Sequence, residues 1–146
     1  MGHKKFDELQ YNEDDNAKYQ VIDYLTSKGF KAWVNPDQYG IDVLAEKMGL
    51  SCRFEVEVKH NWETNNFPFD TVHFSARKLK FVEDNTWFVM LNSPRTQSLF
   101  VSNDVLLKSP IVVKNTKYTS NERFISIRKV DCEFRSLLRL SNPYNS

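Results

Sequence analysis

The segment from Ser51 to Lys59 constrains the fold more than any other part of the chain. Its apolar residues Phe54, Val56 and Val58 alternate with charged ones: Arg53, Glu55, Glu57 and Lys59. Because successive side chains of a β-strand point to opposite faces of a sheet, this alternation predicts a strand with one buried and one polar face. The polar face would carry Glu57 and Lys59 side by side.

The length and composition indicate one soluble globular domain. The chain has 146 residues, of which 40% are hydrophobic and 27% charged, as in ordinary soluble domains. No run approaches the roughly 20 apolar residues of a membrane span, and the polar N-terminus has no signal-peptide core. Two distant cysteines, Cys52 and Cys132, suggest reduced thiols. We therefore expect a cytoplasmic protein, bacterial or in the host cytoplasm if phage-encoded, with no membrane partner.

The order of elements predicts an α/β fold, with a helix over Asp14–Lys28 that ends at Gly29. Three strands follow, then a helix over Thr71–Glu83, at least from Ser75, further strands and a closing helix over Asp131–Leu140. The predicted strands are Phe30–Val34, Ile41–Glu46, Ser51–Lys59, Thr86–Asn92, Ser98–Ser102, Ile111–Val113 and Phe124–Ile127. We expect a flexible arm over residues 1–13, a single domain over 14–140 and a tail over 141–146.

Two acidic residues mark the ends of neighbouring predicted strands. Asp42 follows Tyr39-Gly40, and fourteen residues separate it from Glu57. If the two strands are adjacent, Asp42, Glu57 and Lys59 converge. Mg²⁺ prefers oxygen ligands and needs only one or two carboxylates. We therefore expect Asp42, Glu57 and the backbone carbonyl of Val58 to bind Mg²⁺, with Mn²⁺ able to substitute. Such a site could hydrolyse a phosphodiester, in which case Lys59 would orient the attacking water or offset the charge on the phosphate.

The motif Asp-x14-Glu-x-Lys, with a helix before it, resembles the PD-(D/E)xK nuclease superfamily over roughly residues 14–81. The resemblance implies a restriction endonuclease-like core, in which helices flank a central mixed β-sheet in the order αβββαβ. It implies that Asp42 and Glu57 bind magnesium and that Lys59 is catalytic. The segment Val72–Lys78 resembles the helix after the core, whose basic residue contacts phosphate; Lys78 is the first candidate and Arg77 the second.

The chain departs from the family pattern in two places. Ile41 stands where proline is common. Resolvase-like members carry a glutamate about eleven residues before the helix-ending glycine, where this chain has Lys18. Asp14, one turn earlier, is the candidate for a further metal ligand, and Asp15 and Glu13 are alternatives.

The remaining residues suggest a nucleic-acid surface. Residues 108–139 hold eight basic and three acidic residues, and Lys114 and Lys117 are candidates for binding DNA phosphates. Glu55 is expected to pair with Arg53 or Lys31, and the aromatic residues Trp62, Phe67 and Phe69 to pack beneath their own loop.

The function predicted from these features is that of a Mg²⁺-dependent endonuclease acting on DNA, for example branched or phage and host DNA, as a homodimer. Three alternatives stay open. The chain could be a catalytically inactive nuclease-fold protein that binds nucleic acid or a protein partner. It could be an RNA nuclease, although that class normally uses histidine. The Arg53–Lys59 face could also be an ordinary salt-bridged surface of an edge strand.

Overall fold

The computed structural model describes residues 2–137 of the chain, and the side chains from residue 15 onward. Two α-helices, nine β-strands and two short 3-10 helices are found in this part. The α-helices are α1 (Gly2–Ser27) and α2 (Asn103–Lys108), and the 3-10 helices cover Ala76–Phe81 and Lys129–Asp131. The strands are β1 (Lys31–Val34), β2 (Val43–Lys47), β3 (Leu50–Lys59), β4 (Thr71–Ser75), β5 (Thr86–Asn92), β6 (Gln97–Ser102), β7 (Ile111–Lys114), β8 (Glu122–Arg128) and β9 (Glu133–Ser136).

Six strands form a mixed sheet in the order β1-β2-β3-β5-β6-β9. The pairing of β3 with β5 is parallel, and the other neighbours are antiparallel. The predicted α/β class with a central mixed sheet is therefore confirmed. In this order β3 lies between β2 and β5, but β2 pairs only with residues 50–54, and among the described strands residues 55–59 pair with β5 alone. The alternative of an ordinary salt-bridged surface therefore stays open.

Helix α1 covers one face of this sheet. Its residues Ala17, Val21 and Leu25 recur at helical spacing and are buried against Val43 and Phe54. The helix ends where Gly29 adopts a φ of 90°, a conformation that glycine adopts without steric cost. The sequence predicted this end correctly, but the helix begins at Gly2, well before Asp14. The flexible arm was predicted over residues 1–13, of which residues 2–13 lie in this helix.

A second sheet, of order β4-β8-β7, covers the opposite face. Phe88 and Leu99 of the large sheet pack with Phe74 and Ile125 of the small one, in a second core completed by Trp62 and other apolar residues. Trp62 and Phe67 are buried, as predicted for the aromatic residues of this loop, whereas Phe69 is exposed. The site described below lies at the edge of this second layer.

Two segments that were predicted to be helices contain strands. The first part of Thr71–Glu83 is β4, because Val72 and Phe74 alternate with more exposed neighbours and enter the second core; only Ala76–Phe81 is helical, and of the 3-10 type. The closing helix over Asp131–Leu140 is also wrong: Glu133–Ser136 pairs with β6. Residues 138–140, and the predicted tail over 141–146, lie outside the described residues.

Within the described part of the chain, no helix is both long enough and apolar enough to cross a membrane. Both cysteines are free thiols.

Candidate catalytic site

The loop between β1 and β2 is closed by hydrogen bonds between Asn35, at its start, and Ile41 and Asp42, at its end. The Asn35 backbone N–H donates to the Asp42 carbonyl at 3.0 Å, and Asn35 Nδ2 donates to the Ile41 carbonyl at 2.9 Å. The Asp42 carboxylate is fixed in turn, because its Oδ2 accepts the Val56 backbone N–H at 2.8 Å. Asp42 is thus aligned against β3 before any ligand binds.

Glu55 is the carboxylate that faces Asp42. The last ladder pair of β2 and β3 at this end joins Val43 to Phe54, so Asp42 and Glu55 lie opposite each other one residue beyond it. Both line an open cleft of about 450 Å³, together with Gln38, Tyr39, Gly40, Ser75, Arg77, Lys78, Lys80 and Phe81. The cleft therefore combines two carboxylates with three basic side chains.

Burial and a close neighbour change the proton affinity of Glu55. Glu55 is buried, and this loss of solvation is the main cause that raises its pKa to about 7. The charge of Lys78 opposes the rise, whereas Asp42 adds to it through its own charge and a hydrogen bond. Two neighbouring carboxyl groups of this kind hold either a shared proton or a cation between them.

Lys78 is the lysine that reaches this carboxylate pair. It lies on the 3-10 helix after β4, and its Nζ donates to Glu55 Oε2 at 2.8 Å. Desolvation lowers the pKa of Lys78, but the charges of Glu57, Glu55 and Asp42 outweigh it and leave the pKa raised. Lys78 therefore keeps its positive charge at neutral pH.

A second lysine contacts the pair from α1. Lys18 Nζ lies 3.4 Å from Asp42 Oδ1 and 3.8 Å from Asp15 Oδ1. Lys18 occupies the helix position at which the family resemblance implies an acid. The Asp14 side chain, the candidate acid of this helix, and that of its alternative Glu13 lie outside the described residues, whereas Asp15 lies beside Lys18.

Glu57 and Lys59 follow Glu55 along the same face of β3. Glu57 interacts electrostatically with both Lys78 and Lys59. Lys59 Nζ lies over the Phe69 ring, 5.0 Å from its centroid. Metal binding by Glu57 and by the Val58 carbonyl stays a prediction, as does the catalytic role of Lys59. Val58 pairs with Leu91 of β5.

The remaining predicted DNA-binding residues lie on the small sheet and its borders. Arg77 is exposed and contacts Glu122 at 3.4 Å. Lys114 Nζ lies 2.9 Å from His73 Nδ1. Lys117 is exposed beside Tyr118. The prediction that Glu55 pairs with Arg53 or Lys31 is wrong. Glu55 pairs with Lys78, and Arg53 pairs with Glu83.

The carboxylate pair is suited to a divalent cation. Glu55 Oε1 is buried and has no hydrogen-bond donor among the described residues, while Lys78 occupies the other oxygen. Such an oxygen next to a second carboxylate matches the hard oxygen ligands that Mg²⁺ prefers. No group of three or more His, Cys, Asp or Glu side chains clusters for metal binding in this part of the chain. Asp42 and Glu55 are the two carboxylates that line the cleft.

The turn between β2 and β3 is the sequence feature that could have identified Glu55 as the residue opposite Asp42. Lys47 pairs with Leu50 across Met48-Gly49, and both turn residues have positive φ, 52° and 82°. A two-residue turn of this kind fixes the register of a hairpin. Counting back along both strands places Asp42 opposite Glu55 and not Glu57.

The fold can be compared with that of a solved structure. The chain is similar to the solved structure of Hjc, a Holliday junction resolvase from the archaeal hyperthermophile Archaeoglobus fulgidus, with a TM-score of 0.48 and 14% sequence identity over 81% of this chain and 85% of that chain. No protein-family model matches the sequence, and no curated protein matches it. Any function must therefore be inferred from the side chains of the site.

Proposed function

We propose that this protein is a metal-dependent nuclease that hydrolyses DNA phosphodiester bonds, with Asp42, Glu55 and Lys78 at its centre. The observation that carries the proposal is the pair of facing carboxylates, Asp42 and Glu55, in a cleft also lined by three basic side chains. Carboxylates attract a divalent cation, and basic groups attract the phosphate. The likeness of the sequence to the PD-(D/E)xK superfamily implies the same chemistry, but it assigns the second carboxylate and the lysine to Glu57 and Lys59, where this proposal has Glu55 and Lys78.

Each residue has a separate task in this proposal. Asp42 and Glu55 would hold Mg²⁺ or Mn²⁺ with their carboxylate oxygens. When bound, the metal would lower the pKa of a coordinated water and polarise the phosphoryl oxygen. Lys78 keeps its charge and would offset the negative charge that builds up on the phosphate during attack. Arg77 and Lys80, on the same cleft wall, would hold the DNA strand.

Cleavage of a labelled DNA panel tests this function. Single-stranded, duplex, flap and four-way junction DNA would each be incubated with Mg²⁺, Mn²⁺ or EDTA, beside the Asp42→Asn variant. We expect cutting with either metal that is lost in EDTA and in the variant, and the preferred substrate would identify the class of nuclease. Cutting that persists in EDTA would contradict the proposal.

A second candidate function is that of a DNA- or protein-binding module without catalysis. The contact between Lys18 and Asp42 favours it, because a fixed cation already neutralises part of the acidic charge at the site. This candidate predicts DNA binding without cleavage on every substrate of the panel and no binding of Mn²⁺. Calorimetric titration with Mn²⁺ therefore separates the two functions independently of any substrate.

For a nuclease that cuts both strands of a duplex or junction, we further propose a homodimer, because two cuts need two sites. Light scattering after size exclusion would test it, with a mass of 34 kDa expected for two copies of a 17.2 kDa chain. A monomer on and off DNA would contradict it.

A further inference from the structure

A second group of basic side chains lies beyond the carboxylate pair on the same side of the large sheet. Lys59, from the end of β3, and Lys114, from the end of β7, interact electrostatically with each other, and His73 of β4 interacts with both. We call Lys59 and Lys114 the lysine pair. Three strands from two sheets thus bring two positive charges together at one place.

Two acids, Glu57 and Glu122, lie near the lysine pair. Glu122 pairs with Lys114 in strand register, but its carboxylate is bonded to Arg77 and to Thr119 Oγ1, at 3.4 and 2.8 Å. Glu57 is the acid that acts on Lys59. Adjacent like charges cost free energy, which a bound anion would recover.

Neutral groups hold both lysines in position. His73 Nε2 lies 3.1 Å from Ser126 Oγ, and His73 Nδ1 faces the Lys114 ammonium at 2.9 Å. Since an ammonium group can only donate, Nδ1 must accept, so the ring is neutral with its proton on Nε2. Desolvation and the two lysines lower the pKa of His73, which agrees with a neutral ring. Lys59 is held over the Phe69 ring.

The lysine pair lies farther along β3 than the carboxylate pair. Glu55 and Lys59 are four residues apart on β3 and point to the same face, which corresponds to about 13 Å along a strand. Glu57 lies between them and interacts with both Lys78 and Lys59. A nucleic-acid strand that follows β3 would therefore place different phosphates over the two positions.

We propose that the lysine pair, held by His73 and Phe69, binds a backbone phosphate of DNA several nucleotides from the one that is cut. This inference rests on the proposed function, since it names how the same site holds its substrate. It assigns Lys59 to substrate binding and leaves Lys78 as the lysine of the reaction centre. It also explains why two lysines from different sheets lie next to a neutral histidine.

The test measures DNA binding without cleavage. The affinity of a fluorescent duplex is measured in EDTA from 50 to 200 mM KCl for the wild type, Lys59→Ala, Lys114→Ala and the double variant. Lys31→Ala is the matched control, because it removes the same charge from the exposed edge strand β1. We expect each single variant to weaken binding and to reduce the slope of log K against log salt by about 0.9, and the double variant by about 1.8.

Two results would overturn the inference. One is an unchanged affinity and salt slope in both single variants. The other is a loss of kcat at saturating DNA in Lys59→Ala without any loss of affinity, which would make Lys59 part of the reaction. If the slopes change as expected but no DNA is ever cleaved, the proposed nuclease activity fails and the phosphate site stands. His73→Gln serves as a second variant, expected to weaken binding less than Lys114→Ala, because it loosens Lys114 without removing charge.

Discussion

Lys18 Nζ lies 3.4 Å from Asp42 Oδ1, so a lysine of α1 contacts one of the two carboxylates at the centre of the cleft. Both side chains are mostly buried, each 19% exposed, and their interaction is therefore less screened than that of a surface pair. A cation entering the site would compete with this ammonium for Asp42. If the site binds a metal as proposed, this contact would weaken its attraction for the metal.

Replacing Lys18 by methionine should strengthen metal binding. Removal of the ammonium leaves the Asp42 charge uncompensated while keeping a side chain of similar length on α1. We expect Mn²⁺ affinity, measured by calorimetry, to rise roughly three- to tenfold. Lys31→Met, on β1, is the control and should leave the affinity unchanged. An equal or lower Mn²⁺ affinity in Lys18→Met would show that Lys18 supports the site and does not compete with the metal.

The raised pKa of Glu55 should appear as a pH dependence of stability. The pKa is about 7 in the folded chain, against 4.5 for the free side chain. Between these values the folded state binds more protons than the unfolded state, so the free energy of unfolding falls as pH rises through this window and stays lower above it. The loss is at most about 3–4 kcal/mol, because one pKa unit corresponds to about 1.4 kcal/mol.

Glu55→Gln should remove this contribution, since glutamine does not titrate. Urea unfolding in EDTA at pH 4, 5, 6, 7 and 8 would measure the difference between variant and wild type. We expect Glu55→Gln to gain stability relative to the wild type as pH rises from 4.5 to 7. A difference that is constant with pH would refute the raised pKa.

The sequence predicted the parts of the fold that depend on local periodicity. The alternation around Phe54 and the helical spacing of Ala17, Val21 and Leu25 each identified a buried face, and both faces enter the first core. The segment Thr71–Ser75 was mistaken for helix, because its two buried residues, Val72 and Phe74, are too few to distinguish a strand from a helix. Its strand pairing depends on β8, about fifty residues later.

The candidate site was predicted only in part, because it depends on strand register. Asp42 was identified from its place at the head of a strand. The choice between Glu55 and Glu57 depends on the hairpin turn, because both side chains point to the same face and differ only in what lies opposite. Lys78 was identified as a basic residue near the site, but its contact with Glu55 depends on how β4 and the following 3-10 helix pack, which local sequence does not determine.

Gly40 should be required for the position of Asp42. A Cβ at this position would lie 2.7 Å from Asn35 Nδ2, the donor that binds the Ile41 carbonyl. We expect Gly40→Ala to reduce stability by about 1–3 kcal/mol and to weaken Mn²⁺ binding, measured by urea unfolding and calorimetry.

Gly29→Ala, outside this loop, is the matched control. An added Cβ at Gly29 meets only the end of the Lys47 side chain, at 3.4 Å, and the φ of 90° makes alanine strained there. It should therefore reduce stability without changing Mn²⁺ affinity. Equal Mn²⁺ affinities in the two variants would argue against a role for Gly40 in placing Asp42.

The central claim is that Asp42 and Glu55 form the metal-binding pair, and one pair of variants tests it most directly. Glu55→Gln and Glu57→Gln make the same neutral change two residues apart on one face of β3. Cleavage rates would be measured at saturating DNA and 10 mM Mg²⁺, with folding checked by circular dichroism. We predict that Glu55→Gln loses at least about a hundredfold in rate, and that Glu57→Gln keeps most of its activity. Loss of activity in Glu57→Gln together with a near wild-type rate in Glu55→Gln would contradict the account.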